Sequence, residues 1–170
     1  MRVLMLAPPG GGKGTQGTRL ATALGVEHIS SGDLLRAAVA EDTPLGRRVD
    51  EYLKDGRLAP DELVAEAIRP LLATRADYVL DGFPRKLSQT EGVDFDVVVY
   101  LDVPDAVVTQ RLLGRGRADD REDVIAERLR QYDADTRPLV DYYEERGVLL
   151  RVDGDRPEAA IADELQQKVA

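Results

Sequence analysis

Short apolar runs of strand length alternate with amphipathic helical patterns along the whole chain. Residues 2–6 form a nearly continuous apolar run, and residues 13–24 carry Leu20, Ala21 and Leu24 on one helical face before Gly25, which reads as the helix stop. Residues 26–29 read as a second short strand. Ser30-Ser31-Gly32-Asp33 then reads as a helix entry capped by serine or aspartate, Pro44 opens another helix ending near Gly56, and residues 59–74 form a further helix disturbed by Pro70. Three helices thus stand in succession between two strands. Residues 78–80 and 96–101 read as strands, the second apolar enough to be covered on both faces. Pro104 opens a helix carrying Arg111 and Arg115, and residues 122–146 read as one long charged helix with Val124, Ile125, Leu129 and Tyr132 as its stripe, bent at Pro138. A strand at 148–152 and a helix at 157–169 complete the pattern. Strands and helices alternating at this spacing call for right-handed crossovers, hence an α/β fold: a doubly wound, five-stranded parallel sheet with helices on both faces. Ligands then gather at the carboxyl ends of the strands.

Composition narrows the function. The 170 residues suit one domain with a full core, and 43% hydrophobic with 32% charged residues describes an ordinary globular chain. With no cysteine there is no disulfide framework, thiolate nucleophile or cysteine-bound zinc, in keeping with a reducing compartment. No apolar run reaches membrane-spanning length, and Pro8 and Gly10 interrupt the apolar start, so a cytoplasmic location is expected. A formal net charge of −9 argues against nucleic acid or an anionic membrane as the main partner. A phosphate ligand must therefore meet locally clustered cations. With only four lysines, arginine is the main cation, and its fork of donors suits phosphate oxygens.

The strongest chemical signal lies between the first strand and first helix, in Ala7-Pro8-Pro9-Gly10-Gly11-Gly12-Lys13-Gly14-Thr15-Gln16. Glycines let successive backbone N–H groups curl around an anion, and the following helix points its positive end at it. Lys13 reaches the outer phosphates, and Thr15 can offer a hydroxyl to phosphate or to a magnesium shell. The strict pattern G-x-x-x-x-G-K-[ST] fails at both ends, with Ala7 in the first glycine slot and Gly14 in the Ser/Thr slot. Ala7 threatens the loop only if that residue needs a positive φ. The variant spelling P-P-G-x-G-K-G-T-Q resembles that of adenylate kinases and their nucleoside monophosphate kinase relatives.

Three further motifs extend the resemblance in the family's order. Asp81-Gly82-Phe83-Pro84-Arg85 with Gln89 is similar to the signature D-G-F-P-R-x-x-x-Q. The resemblance implies that Asp81 holds magnesium through water, Arg85 grips the acceptor phosphate and Gln89 reads adenine. Ile29-Ser30-Ser31-Gly32-Asp33-Leu34-Leu35-Arg36 resembles the acceptor-site stretch, with Ser31 in place of the usual threonine. It makes Arg36 a second acceptor-phosphate ligand. The stretch from Arg57 to Leu63 resembles the segment closing over the acceptor base, with Ala59 where valine is usual. Arg111-Leu112-Leu113-Gly114-Arg115-Gly116-Arg117-Ala118-Asp119-Asp120, continued by Arg128, resembles the lid cluster. Arg111 and Arg115 stand one helical turn apart and can face one cleft. By resemblance Arg111 stacks on the donor adenine, Arg115, Arg117 and Arg128 bind the transferring phosphates, and Asp119 with Asp120 latches the lid. Between Arg115 and Asp119 only three residues stand, which is the short-lid form without a zinc-binding insertion. Val152-Asp153-Gly154-Asp155 resembles the loop whose backbone near Gly154 touches donor adenine.

The resemblance implies reversible phosphoryl transfer from MgATP to AMP, giving two ADP, by a monomer. A core of residues 1–29, 74–114 and 122–170 would carry an acceptor-binding insertion at 30–73 and a lid at 115–121. Donor-site residues are Gly10, Gly11, Gly12, Lys13, Gly14, Thr15, Arg111 and Gly154. Acceptor-site residues are Ser31, Arg36, Arg57, Ala59, Gly82, Arg85, Gln89, Arg117 and Arg128. Lys13, Arg85, Arg115, Arg117 and Arg128 would stabilise the transferring charge. The lone His28 is read as structural. Two alternatives stand beside this: a pyrimidine monophosphate kinase, for which asparagine and alanine are expected at positions 89 and 31, and a nucleotide-binding regulator without catalysis, suggested by Ala7.

Overall fold

The structure is a computed structural model that describes all residues except 55, 56, 58, 118 and 119. Five strands, β1 (Arg2–Leu6), β2 (Glu27–Ser30), β3 (Tyr78–Asp81), β4 (Val97–Asp102) and β5 (Leu149–Asp153), form one sheet in the order β2-β3-β1-β4-β5. All pairings are parallel, with Leu4 aligned to Leu80 on one side and to Val98 on the other. The α/β class and the five-stranded parallel sheet are thus as the pattern of runs required.

Alternation along β1 divides the core. Val3 and Met5 pack with Leu20 and Ala21 of α1 (Lys13–Leu24) and with Ile161, Leu165 and Val169 of α8 (Glu158–Val169). Leu4 and Leu6 face the opposite cluster. It draws on α2 (Ser31–Ala40), α3 (Pro44–Lys54) and α4 (Asp61–Leu72), which stand in succession between β2 and β3, and on α7 (Pro138–Glu145). A central strand buried on both faces needs no polar positions, which is why β1 and β4 read as continuous apolar runs.

Local chemistry sets the element ends. Gly25 closes α1 at φ 67°, and the Ser30 hydroxyl accepts from Asp33 N at the start of α2. The predicted end of α3 near Gly56 lies outside the described residues. Pro70 does not end α4, which continues to Leu72; only the final turn lies beyond it. The long helix expected at 122–146 is instead three pieces: α6 (Glu122–Gln131), a π-helical segment (Tyr132–Thr136) and α7. Pro138 has no N–H and its ring excludes the carbonyl four residues back, so the helix widens ahead of it. Arg137 N accordingly bonds Tyr132 O at 2.9 Å, five residues back. Helix α5 (Asp105–Arg115) follows β4 and ends at Gly116 with φ 76°.

Candidate active site

The glycine-rich loop leaves the carboxyl end of β1 and runs into α1. Gly10 and Gly12 adopt φ of 77° and 93°, which side chains disfavour. Gly10 is also crowded: a Cβ there would stand 2.7 Å from Leu112 Cγ on α5. Ala7 is not among the positive-φ residues and is buried at 3% exposure, so alanine fits the first slot of the loop without strain. A Cβ on Gly11 would meet the Ala7 Cβ at 2.7 Å, so Ala7 itself demands glycine there.

Lys13 opens α1 and folds its ammonium back over the loop, donating to Ala7 O at 3.0 Å and Pro8 O at 3.3 Å. Burial lowers its pKa to about 8; the charges of Arg85 and Arg115 push the same way and Asp81 opposes them. Thr15 and Gly14 are exposed on the first turn of α1. Gln16 is buried and donates to Glu158 O at 3.0 Å, tying the loop's helix to α8.

Asp81 ends β3, beside Ser30 in the parallel register. Its carboxylate, on a residue 7% exposed, accepts from His28 Nε2 at 2.7 Å, and His28 Nδ1 lies 3.1 Å from the Thr18 hydroxyl. Burial alone would raise the Asp81 pKa, but the His28 and Ser30 hydrogen bonds and the Lys13 charge outweigh it and hold the carboxyl below its ordinary value. His28 is therefore a support for Asp81, a link the sequence reading missed. The signal was the period of two: Ser30 pairs with Asp81, so His28, two residues earlier, points to the same side of the sheet.

The turn after Asp81 fixes Arg85 by its backbone at both ends. Its N–H donates to Gln89 Oε1 at 2.6 Å, and its carbonyl accepts from the Thr136 hydroxyl at 2.8 Å. Its Nε donates to Gly82 O at 2.8 Å, which aims the guanidinium. Burial lowers the Arg85 pKa, Arg128 and Arg36 add repulsion, and Asp81 opposes them. Gln89 is 6% exposed, and with its oxygen committed to Arg85 it has its amide N–H groups left to offer a base. Gly82 has φ 82°, and a Cβ there would collide with Ser31 Oγ. That hydroxyl is buried and makes no hydrogen bond among the described residues, so it is available to a ligand.

Arg115 and Arg36 are held by carboxylates. Arg115 Nε and Nη2 donate to Asp120 at 2.8 and 2.6 Å, Arg117 N donates to it at 3.1 Å, and Arg128 Nη1 is 3.8 Å away. The bond from Arg115 leads the effects that keep Asp120 below the usual carboxylate range. Asp119, the other half of the expected latch, lies outside the described residues. Arg36, exposed on α2, pairs with Asp33 at 2.5 Å. Burial lowers the Arg117 pKa, and the charges of Arg115 and Arg36 add to the effect. Arg111 Nη2 donates to Gly154 O at 3.0 Å, joining those two expected donor-site residues. Gly154 is glycine for close approach: a Cβ would meet Val103 Cγ2 at 2.5 Å. Ala59 is buried, and Arg57 stands over the Tyr52 ring at 5.0 Å from its centroid.

The charges of Arg85 and Arg115 thus act on Lys13, those of Arg128 and Arg36 on Arg85, and those of Arg115 and Arg36 on Arg117, so six cations share one region of a chain of net charge −9. A glycine-rich loop opening the helix after the central strand, facing such a cluster, defines a phosphate-loop phosphotransferase fold. The adenylate kinase family model matches residues 5–148. The chain is 44% identical over 177 residues to "Adenylate kinase 1" of a Nostoc species, covering 97% of this chain and 96% of that protein. It is 47% identical over 165 residues to "Adenylate kinase" of Thermus thermophilus, at 89% and 88% coverage. It is 43% identical over 169 residues to that of Kocuria rhizophila, at 90% of each. The chain belongs to the adenylate kinase family.

Proposed function

We propose that the protein catalyses reversible phosphoryl transfer between ATP and AMP, giving two ADP, in adenine nucleotide homeostasis. The observation that carries this reading is the half-buried Arg85, held through its backbone by Gln89 and Thr136 and close enough to the phosphate loop's Lys13 for its charge to act on that ammonium. Phosphoryl transfer asks for alignment and neutralisation of charge spread over the moving group more than for a base. An acceptor phosphate brings its own nucleophilic oxygen. Gly10 to Thr15 would cradle the donor phosphates through backbone N–H groups, with Lys13 on the outer ones. Arg36 and Arg85 would hold the acceptor phosphate in line, and Arg115, Arg117 and Arg128 would take up the charge that develops in transfer. Arg111 and Gly154 would flank the donor base.

Ser31, Arg57, Ala59, Gly82 and Gln89 would enclose the acceptor base. The Gln89 N–H groups favour an acceptor atom on the base edge, which adenine N1 is and a guanine N1–H is not. In this reading residues 30–73 are the acceptor-binding insertion and 115–121 the lid on the core, and the protein acts as a cytoplasmic monomer without nucleic-acid or membrane partners. No helix among the described residues is long and apolar enough to cross a membrane.

The donor set suits magnesium carried by the nucleotide. One buried, ionised carboxylate, Asp81, stands beside the phosphate loop, and among the described residues no three His, Asp or Glu side chains converge. Asp81 would hold the ion through water, with the Thr15 hydroxyl near its shell, and the ion would neutralise phosphate charge. The pyrimidine and regulator alternatives have less support, since Gln89 and Ser31 stand at the discriminating positions and Ala7 fits its loop without strain.

The test is product formation by the purified protein with MgATP and each of AMP, CMP, UMP and GMP. ADP production confined to AMP is expected. Preference for another acceptor would overturn the base-site assignment, and ATP binding without any transfer would favour the regulator.

A further inference from the structure

Lys86 follows Arg85 directly and has no part in the chemistry above. Its Nζ lies 3.0 Å from Asp61 Oδ2 and 3.9 Å from Asp135 Oδ2. Asp61 is the first residue of α4, two positions beyond the buried Ala59. Asp135 lies in the π-helical segment, and its neighbour Thr136 donates to the Arg85 carbonyl at 2.8 Å. Three stretches therefore meet at one ammonium: the entry to the last inserted helix, the loop after β3, and the segment downstream of α6, which carries Arg128.

We propose that Lys86 is a positioning residue for the acceptor site, pinning the start of α4 and the π-helical segment to the Arg85 loop and so setting the spacing between the Ala59 wall and the Arg85 guanidinium. The inference rests on AMP being the acceptor. The Arg85 loop is the fixed side of this junction, since Gln89 and Thr136 hold the Arg85 N–H and carbonyl. The inserted helices are the side that needs holding. An ammonium is a compact charge with three donors, so it can serve carboxylates arriving from two directions. All three side chains are a little over a third exposed, so solvent weakens the pair as a source of global stability. Its effect is on local placement, and only on the acceptor side.

The test compares wild type, Lys86→Met, Asp61→Asn and the double variant by calorimetric AMP affinity and by KM for AMP and for MgATP. Lys86→Met is expected to raise Kd and KM for AMP about threefold, the scale of a half-exposed pair, with KM for MgATP and the melting temperature unchanged. The double variant is expected to lose no more than Lys86→Met alone. Unchanged AMP affinity, equal shifts for AMP and MgATP, or additive losses would overturn the proposal. If Lys86→Met fails to fold, Asp61→Asn carries the same AMP-against-MgATP comparison at the exposed helix start. Wild type that bound AMP but formed no ADP would overturn the assigned activity, while the Kd series would still decide the role of Lys86. Wild type that did not bind AMP would overturn both.

Discussion

The phosphate loop and the arginine cluster opposite it are two ways of presenting positive charge. The loop is built from backbone: glycines at φ 77° and 93° and a Lys13 ammonium resting on two carbonyls, packed against α5 and tied through Gln16 to α8. Its donors are in place before any ligand arrives. The arginines of α2 and of the end of α5 are side chains paired with carboxylates, Arg36 with Asp33 and Arg115 with Asp120. To bind phosphate as proposed, they must exchange those partners. The exposed Arg36–Asp33 pair contributes about 0.2–1 kcal/mol, against about 1.5–3 kcal/mol for a hydrogen bond to a charged group, so phosphate wins that exchange. Arg85 belongs to the first kind, although it is a side chain, because its own backbone N–H and carbonyl are both held. On the proposed function, preorganised charge stands at the phosphoryl transfer and exchangeable charge on the segments proposed to close over the nucleotides.

If that division holds, substitutions in the fixed half cost most. Lys13→Met is expected to lower kcat/KM about a thousandfold, measured as ADP formation; a loss below tenfold would remove Lys13 from the charge-stabilising set. His28→Ala removes a support of Asp81 and is expected to cost roughly 1–3 kcal/mol of unfolding free energy, measured by urea titration. Because the folded Asp81 pKa lies below its ordinary value, that contribution is present at neutral pH and lost as pH falls through the acid range. The variant should therefore differ least from wild type in acid, and a constant difference down to pH 3 would contradict it.

The Lys13 ammonium sharpens the comparison through pH. With a pKa near 8 it is charged at neutral pH and loses its proton as pH rises. Phosphate favours the charged form, so MgATP affinity should be flat below about pH 7 and fall above 8 with a limiting slope of about tenfold per unit. Calorimetry across that range reads it, and affinity flat to pH 9 would contradict it. The smallest effect is expected in the exchangeable half: Asp33→Asn spares Arg36 the exchange and should tighten AMP by no more than about twofold.

What the chain revealed by itself follows the same line. The sheet, its helices and the glycine loop rest on local signals: apolar runs, Gly25 as a stop, Ser30 as a cap. The identity of the arginines was also legible, since motif spacing carries it. Their partners were not. Asp120 lies five residues from Arg115, but His28 and Asp81 are 53 residues apart, and Thr136 and Arg85 are 51 apart. Such pairs appear only when strand register and the path after α6 are known. The π-helical segment was hidden for a different reason. Pro138 announced a disturbance, but whether a helix bends or widens depends on what the displaced turn can reach, here Thr136 on Arg85 and Asp135 near Lys86.

The most direct test of preorganised charge at the point of transfer is the Arg85→Ala variant, with MgATP affinity measured by calorimetry and turnover measured with AMP on the same preparation. The account predicts turnover reduced about a hundredfold or more with MgATP affinity within about twofold of wild type. Equal losses in both would contradict it, because Arg85 would then serve donor binding or the fold and not the transferring phosphate.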